Sequence, residues 1–315
     1  MVLIESTNLA NMCDYTFGDQ ASIINNIHGG FMKEANDLNL EFIEKYKSIK
    51  MSGKNVMTLF IDNIRLYNRD IKFVKDSDRP YVNNLLSKND LLVLCAKFPY
   101  MNFIIFTGFE DTPIDDFIFD KIPENVLGVF AVNSISFGGK VHPIPYGLQR
   151  KLSSSDNRLN VMTKTITDYI QPTKLLYVNH SIKTNPNERM GINEWFIDKP
   201  WSTVDTYRID YETFLNKIKN HKFMVCPIGN AIDCHRNWEV LYLKRVPIMK
   251  KNKYLEELFY DFPVLFVNEF SEITEELLIK NDDLYNEALK INYDKLDLYL
   301  LFKGYLDTAL KNKRI

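Results

Sequence analysis

The sequence predicts an α/β protein of two Rossmann-like domains, each a parallel sheet flanked by helices, with a C-terminal helix packing back across them. Three observations point there. At 315 residues the chain has length for two domains of roughly 100 to 200 residues each. Hydrophobic residues make up 45% and aromatics 13%, with 21 Phe and 17 Tyr, so a packed core is expected rather than disorder. Short apolar runs alternate with stretches of helical spacing, the pattern of βαβ units.

The balance of charge narrows the partners. A formal net charge of -2 supplies no basic field for nucleic acid. The four cysteines, Cys13, Cys95, Cys226 and Cys234, are scattered without a C-x-x-C pair or zinc spacing and suit a reducing compartment. The apolar start Met1–Ile4 is too short for a signal peptide, and no apolar run approaches the ~18 residues of a membrane span. A soluble, cytoplasmic protein with no transmembrane segment is expected, or a soluble domain of a larger enzyme.

Taken in order, Gly29 and Gly30 mark a turn beside His28, which reads as surface or as a residue near a ligand. Phe31 to Lys47 then has helical spacing at Phe31, Ala35, Leu38, Phe42 and Tyr46. Val56–Ile61 is a strand ending at Asp62, and Ile71–Val74 is a shorter one. Asp76-Ser77-Asp78 could hold a metal, or be an ordinary polar triplet. Leu91–Cys95, Phe103–Thr107 and Val126–Val132 read as strands, each followed by polar or turn residues. The loop after Phe106 carries Glu110-Asp111 and Asp115-Asp116.

Leu152–Asn160, with Ser153–Asn157 at its centre, is a polar loop near the domain junction, and Thr163–Pro172 is expected to be the crossing linker. Leu175–Val178 opens the second domain as a strand. The loop Asn179–Asn187 leads into a helix carrying Glu188 and Arg189. Trp195 to Trp201 is aromatic, for packing or for stacking on a base or sugar. Tyr211–Lys219 is a helix with Phe214, Leu215 and Ile218 inward. Val264–Val267 is the last strand; Glu272–Lys280 and Asp282–Lys313 are helical. The expected divisions are 1–165, 166–290 and a terminal helix 291–315.

The stretch Phe223–Lys250 organises the second domain. Phe223–Cys226 is a buried strand stopped by Pro227 and Gly229. Asp233 is placed as N-cap of a helix from about Cys234 to Lys244, with Cys234, Trp238, Leu241 and Tyr242 as its buried stripe. Arg236 and Glu239 face elsewhere, and Val246–Met249 returns as a strand. Charge is the anomaly. His235 and Arg236 occupy a first helical turn, where the macrodipole disfavours a cation by about 0.3 to 1 kcal/mol. Either a carboxylate, Asp233 or Glu239, compensates, or a phosphate docks on the free N–H groups of the turn.

Read as Cys-Pro-x-Gly-Asn-x-x-Asp-x-His-Arg-x-Trp-Glu-x-Leu-Tyr-Leu from Cys226 to Leu243 and followed by Pro247-Ile248, this stretch resembles the exostosin-like glycosyltransferases. Agreement extends to Leu255, Leu258, Phe259, Pro263–Leu265, Val267 and Ser271–Thr274 downstream. Upstream it includes Tyr177–Ser181, Thr184–Arg189, Asn133 and Pro143–Leu148, with Tyr146 where Ile is usual. About two thirds of the chain is covered. In the loop that the family writes Thr-His-Asn-Ser-Asp, Thr107 and Asp111 match, but Gly108 stands in place of His.

The resemblance implies a GT-B architecture and an inverting, metal-independent transfer of a sugar from a nucleotide-sugar, UDP-linked by preference, to a glycan or glycoconjugate hydroxyl. No cofactor is implied, the nucleotide-sugar being the donor substrate. Arg236, with Arg189 and His235, would stabilise the departing diphosphate, although Arg189 also reads as a solvated helix residue. Glu239 would accept from ribose hydroxyls, Gly229 and Asn230 would let backbone approach the ligand, and Asp233 would complete the donor-binding set. Asp111, then Glu110, is expected as the base. A non-catalytic nucleotide-sugar or carbohydrate-binding protein is the alternative.

Overall fold

Alternating side chains along two neighbouring strands lay down the first sheet in the computed structural model, which describes residues 1–17, 35–62, 91–108, 111–149 and 157–312. Its strands are β1 (Tyr15–Thr16), β2 (Val56–Asp62), β3 (Asn102–Gly108), β4 (Val126–Ala131) and β5 (Val141–Pro143), in that spatial order and all parallel. Because successive side chains point to opposite faces, Met57, Leu59, Ile61, Phe103 and Ile105 share one buried cluster with Phe42 and Ile49 of α2 (Ala35–Met51) and Leu91, Leu92 and Cys95 of α3 (Leu91–Ala96).

The opposite face carries Phe106 and Phe130, stacked at 5.2 Å. Against it lie α1 (Ser6–Met12) and the C-terminal helix Leu298–Lys311. Phe302 reaches to 4.8 Å from Phe106 and Tyr305 to 5.1 Å from Phe130. Gly128 permits this approach: a Cβ there would lie 3.2 Å from that of Ala309. One compact unit is therefore formed chiefly by Val2–Tyr146 and Leu298–Ile315, and the other by Gly147–Lys151 and Asp156–Asp297.

The second unit is also a five-stranded, all-parallel sheet: β6 (Lys174–Asn179), β7 (Ser202–Asp205), β8 (His221–Val225), β9 (Val246–Lys250) and β10 (Leu265–Val267). Their spatial order is β10-β9-β8-β6-β7. The first strand of this unit thus lies between the second and third, and the winding reverses between β6 and β8. Helices α4 (Arg158–Thr167), α5 (Pro186–Arg189), α6 (Ile192–Phe196), α7 (Tyr211–Lys219), α8 (His235–Tyr242), α9 (Lys253–Leu258), α10 (Glu275–Lys280) and α11 (Asp282–Leu289) complete it. The chain is a mixed α/β protein with two parallel, Rossmann-like sheets. Among the described residues no helix is long and apolar enough to cross a membrane.

Several local expectations are corrected. Leu91–Cys95 is helix rather than strand. A short apolar run does not distinguish the two, and Leu91, Leu92 and Cys95 sit together on one turn's buried face. The loop expected to reach Asn160 gives way to helix at Arg158, and Thr163–Pro172 is not all linker, because α4 continues to Thr167 and buries Met162 and Thr165. Asp282–Lys313 is not continuous. It breaks after α11 into a 3-10 turn, Tyr293–Leu296, with Asn292 capping Asp294 N–H. Strands β1, β5 and β7 and helix α1 had no sequence expectation; the strands' two to four residues and the helix's seven carry little pattern. His28, Gly29-Gly30, Ile71–Val74, Asp76, Asp78 and Ser153–Asp156 lie outside the described residues.

At the amino edge of the second sheet, helix C-termini leave carbonyls without intrahelical partners. Arg245, 1% exposed, meets them. Its Nε and Nη2 donate to Lys219 O at 3.0 and 2.6 Å, Nη1 to Leu243 O and Lys244 O at 3.2 and 3.0 Å, and Nη2 also to Ile170 O at 2.7 Å. The planar fork ties the ends of α7 and α8 to the entry of the sheet. Arg245→Met should strip these acceptors of their donors and cost about 3 kcal/mol or more in chemical denaturation; a loss within about 0.5 kcal/mol would show that the carbonyls find other donors.

Candidate functional site

Ligands of open parallel sheets bind outside the carboxyl ends of the strands, where the winding reverses. In the second unit that place is the crevice between the loops after β6 and β8. Arg189, only 5% exposed, spans it. Nη1 donates to Ser181 O at 3.0 Å in the first loop; Nε and Nη2 donate to Ile228 O at 2.9 Å and Pro227 O at 3.1 Å in the second. Asn185 Nδ2 adds a bond to Gly229 O at 3.0 Å. Gly229 is required by this crossing: a Cβ would lie 2.9 Å from Arg189 Nη2 and 3.1 Å from Cys234 Sγ. Its open side is therefore occupied by the protein.

The β8 loop delivers the chain into α8. Asp233 does not cap the helix as expected. The cap residue is Cys234, which offers no side-chain bond, and no acidic residue lies in the first turn. The Asp233 carboxylate instead accepts from Trp238 Nε1 at 2.8 and 3.0 Å and from Asn237 Nδ2 at 3.1 Å. Fully buried, it locks the indole against Phe259, whose ring centroid is 4.7 Å away. Trp238, Leu241 and Tyr242 are buried as expected, but Cys234 is only half-buried and Asn237, Glu239 and Val240 are buried as well, so α8 buries more than the one stripe its spacing predicts.

The cations of the first turn are treated differently. His235 Nδ1 meets Gly147 O at 2.7 Å. Arg236 is half-buried, with its guanidinium 5.7 Å from the Phe214 ring centroid and its Nε without a hydrogen-bond partner. Glu239 is buried one turn on. Burial raises its pKa, opposed by Arg236, a hydrogen bond with Tyr211, and Arg158. Asn230 is exposed on the loop. Arg189, Gly229, Asp233, His235, Arg236 and Glu239 are thus brought to the carboxyl edge of one sheet.

Burial raises the Cys226 and Cys234 thiols to about 12 and about 11, so both are protonated at neutral pH and neither is an activated nucleophile. All four cysteines are free. A helix N-terminus carrying an arginine with an unpartnered Nε in its first turn, beside a winding reversal, suits an anionic ligand.

Asp111 belongs to the first unit, where its Oδ1 accepts from Tyr146 Oη at 3.2 Å. Glu110 lies outside the described residues. Among the described residues no group of three or more His, Cys, Asp and Glu could hold a metal ion. A separate cavity of 250 Å³ in the second unit is lined by Lys219, Lys244 and Arg245 among others. Volume would favour it, but chemistry does not. Those cations are committed: Arg245 to carbonyls, Lys244 Nζ to Leu289 O at 3.1 Å and Lys219 to Asp168 at 2.7 Å.

Sequence reasoning overlooked His180, which follows β6 at the same edge and is 6% exposed. Its signals were its position directly after a predicted strand and its place in the Tyr177–Ser181 segment of the resemblance. Burial, then the charges of Arg236 and Arg189, hold its pKa down to about 4 against one backbone hydrogen bond. His221, at the opposite edge, is lowered to about 4 chiefly by burial. Compared with models of known families and with curated proteins, the chain gives no significant match.

Both rings take up a proton near pH 6.5 when unfolded and resist it down to about 4 when folded. The folded state binds fewer protons across that interval, so stability present above about pH 6.5 is lost as the pH falls to about 4, by about 3 kcal/mol per ring. Denaturation at pH 7 and pH 4.5 should show the loss, and His180→Asn should remove about half of it. An unchanged profile in the variant would contradict the assignment to His180.

Proposed function

We propose that the chain is a glycosyltransferase of the GT-B type, inverting and metal-independent, which transfers a sugar from a nucleotide-sugar, UDP-linked by preference, to a hydroxyl of a glycan or glycoconjugate. The observation that carries the reading is Arg236. It stands in the first turn of α8 beside a winding reversal, with Nε unpartnered and no acidic residue in that turn. A cation so placed is disfavoured by the helix dipole unless an anion is bound. The resemblance of Cys226–Leu243 to exostosin-like enzymes supplies the identity of that anion as the donor's diphosphate.

In the transfer, the acceptor oxygen forms a bond to the anomeric carbon as the bond from that carbon to the diphosphate oxygen breaks. The electron pair leaves with the diphosphate. Arg236 and the α8 N-terminus stabilise the charge that develops there, a preorganised electrostatic role. Arg189 acts through position, since three of its five N–H groups hold the loops. Glu239 is assigned to the ribose, and the acceptor's proton passes to the Asp111 carboxylate.

A binding protein without turnover is the second reading, and one observation favours it. At Gly108, where the family has His, a Cβ would lie 2.7 Å from Phe60 Cζ and 2.9 Å from Ser6 Oγ. The first unit is thus packed against any side chain there, and a role that the family's His performs has no substitute at that position.

Thermal shift with UDP and UDP-sugars should detect binding, worth about 2.7 kcal/mol at 100 times the dissociation constant. Arg236→Ala should weaken it at least about tenfold with an unchanged fold by circular dichroism; unchanged affinity would remove the diphosphate role. Asp111→Asn should bind donor normally and lose transfer to glycoside acceptors by about 100-fold or more. Full transfer by that variant would move the base elsewhere, and binding with no transfer by the wild type would favour the second reading.

A further inference from the structure

Among the buried polar atoms without hydrogen-bond partners in the second unit, which also include Glu188 Oε1 and Asn237 Oδ1, are two of opposite hydrogen-bonding type: Nδ1 of His180 and Nε of Arg236. The tautomer of His180 is fixed by its other nitrogen. Nε2 lies 3.3 Å from Arg189 O, and a carbonyl oxygen only accepts, so Nε2 carries the hydrogen and Nδ1 is left as an acceptor. Arg236 Nε is a donor. An acceptor and a donor are therefore both unsatisfied in one neighbourhood, the guanidinium charge being close enough to act on the ring.

Phosphate alone does not answer both. An ionised phosphate oxygen accepts from Arg236 but offers no hydrogen to Nδ1. A hydroxyl does, and nucleotide-sugars carry hydroxyls on either side of the diphosphate. Resting on the donor-site reading above, we propose that His180 is a specificity-determining contact: its Nδ1 accepts a hydrogen bond from a ribosyl or glycosyl hydroxyl of the donor while the diphosphate faces Arg236.

The ring itself is held by Arg189, which is anchored to three carbonyls. Arg236, by contrast, is only half-buried and rests over Phe214, so its guanidinium can turn to a ligand without breaking a hydrogen bond at Nε. The ring stays neutral at physiological pH because its pKa is held down to about 4. A protonated imidazole would be a donor on both nitrogens and would favour bare phosphate instead.

Calorimetric titration tests the proposal from the ligand side and the protein side together. UDP is compared with 2′,3′-dideoxy-UDP for the ribosyl source, and UDP-glucose with UDP-2-deoxy-2-fluoroglucose for the glycosyl source. In the wild type, one of the two pairs should differ by about tenfold, the worth of leaving a buried acceptor unpaired. His180→Phe should abolish that difference while binding of the hydroxyl-deficient ligand is retained. His180→Asn, which keeps an acceptor near Nδ1, should restore part of it.

No difference within either pair in the wild type overturns the proposal without need of a variant, so a misfolded His180→Phe does not shield it. A difference that persists undiminished in a folded His180→Phe also overturns it. In both cases UDP binding that is lost in Arg236→Ala leaves the donor-site reading standing, whereas a wild type that binds none of the four ligands overturns both.

Discussion

The crevice of the second unit exists because one guanidinium is spent on backbone. Arg189 reaches across the place where the winding of the sheet reverses and binds carbonyls from the loops on both sides of it. Carbonyls at strand ends have no ladder partner and would otherwise turn to solvent. Held in this way they fix the path from β8 into α8. Everything that gives the edge its chemistry follows from that path: the Gly229 crossing, the inward Asp233, and the exposure of a helix N-terminus with Arg236 in its first turn.

Three arginines of the same unit show what separates support from chemistry. Arg245 places all its donating nitrogens on carbonyls at the amino edge, and Arg189 does so on carbonyls at the carboxyl edge. Both are almost fully buried. Arg236 differs on each count, only half-buried and unpartnered at Nε, with the Phe214 ring beneath it and the Glu239 carboxylate near enough to feel its charge. Hydrogen bonds already made fix a side chain in place, whereas bonds left unmade at a winding reversal are available to a ligand. By the same reasoning the cavity at the amino edge is a junction of helix ends and their counter-charges.

Legibility in the sequence followed the range of the interactions. The strands β2, β3, β4, β6, β8 and β9 and the helix α7 were readable because their pattern is local: Phe214, Leu215 and Ile218 bury as their spacing requires. Leu91–Ala96 was misread because six residues fit either period. Asp233 has the composition of a cap, but Trp238 Nε1, five residues on, competes for its carboxylate and wins, since a buried indole N–H requires an acceptor. The strand order, the reach of Arg189 and the isolation of His180 Nδ1 depend on contacts between segments tens of residues apart. No local pattern encodes them. The motif from Cys226 to Leu243 nevertheless located the edge at which these contacts meet.

A crystal structure of the protein with bound UDP tests most directly whether an anion is what Arg236 awaits. The diphosphate should lie at the first turn of α8 with an oxygen within hydrogen-bonding distance of Arg236 Nε. A diphosphate seated instead among Lys219, Lys244 and Arg245, with Arg236 still over Phe214, would contradict the assignment of the site.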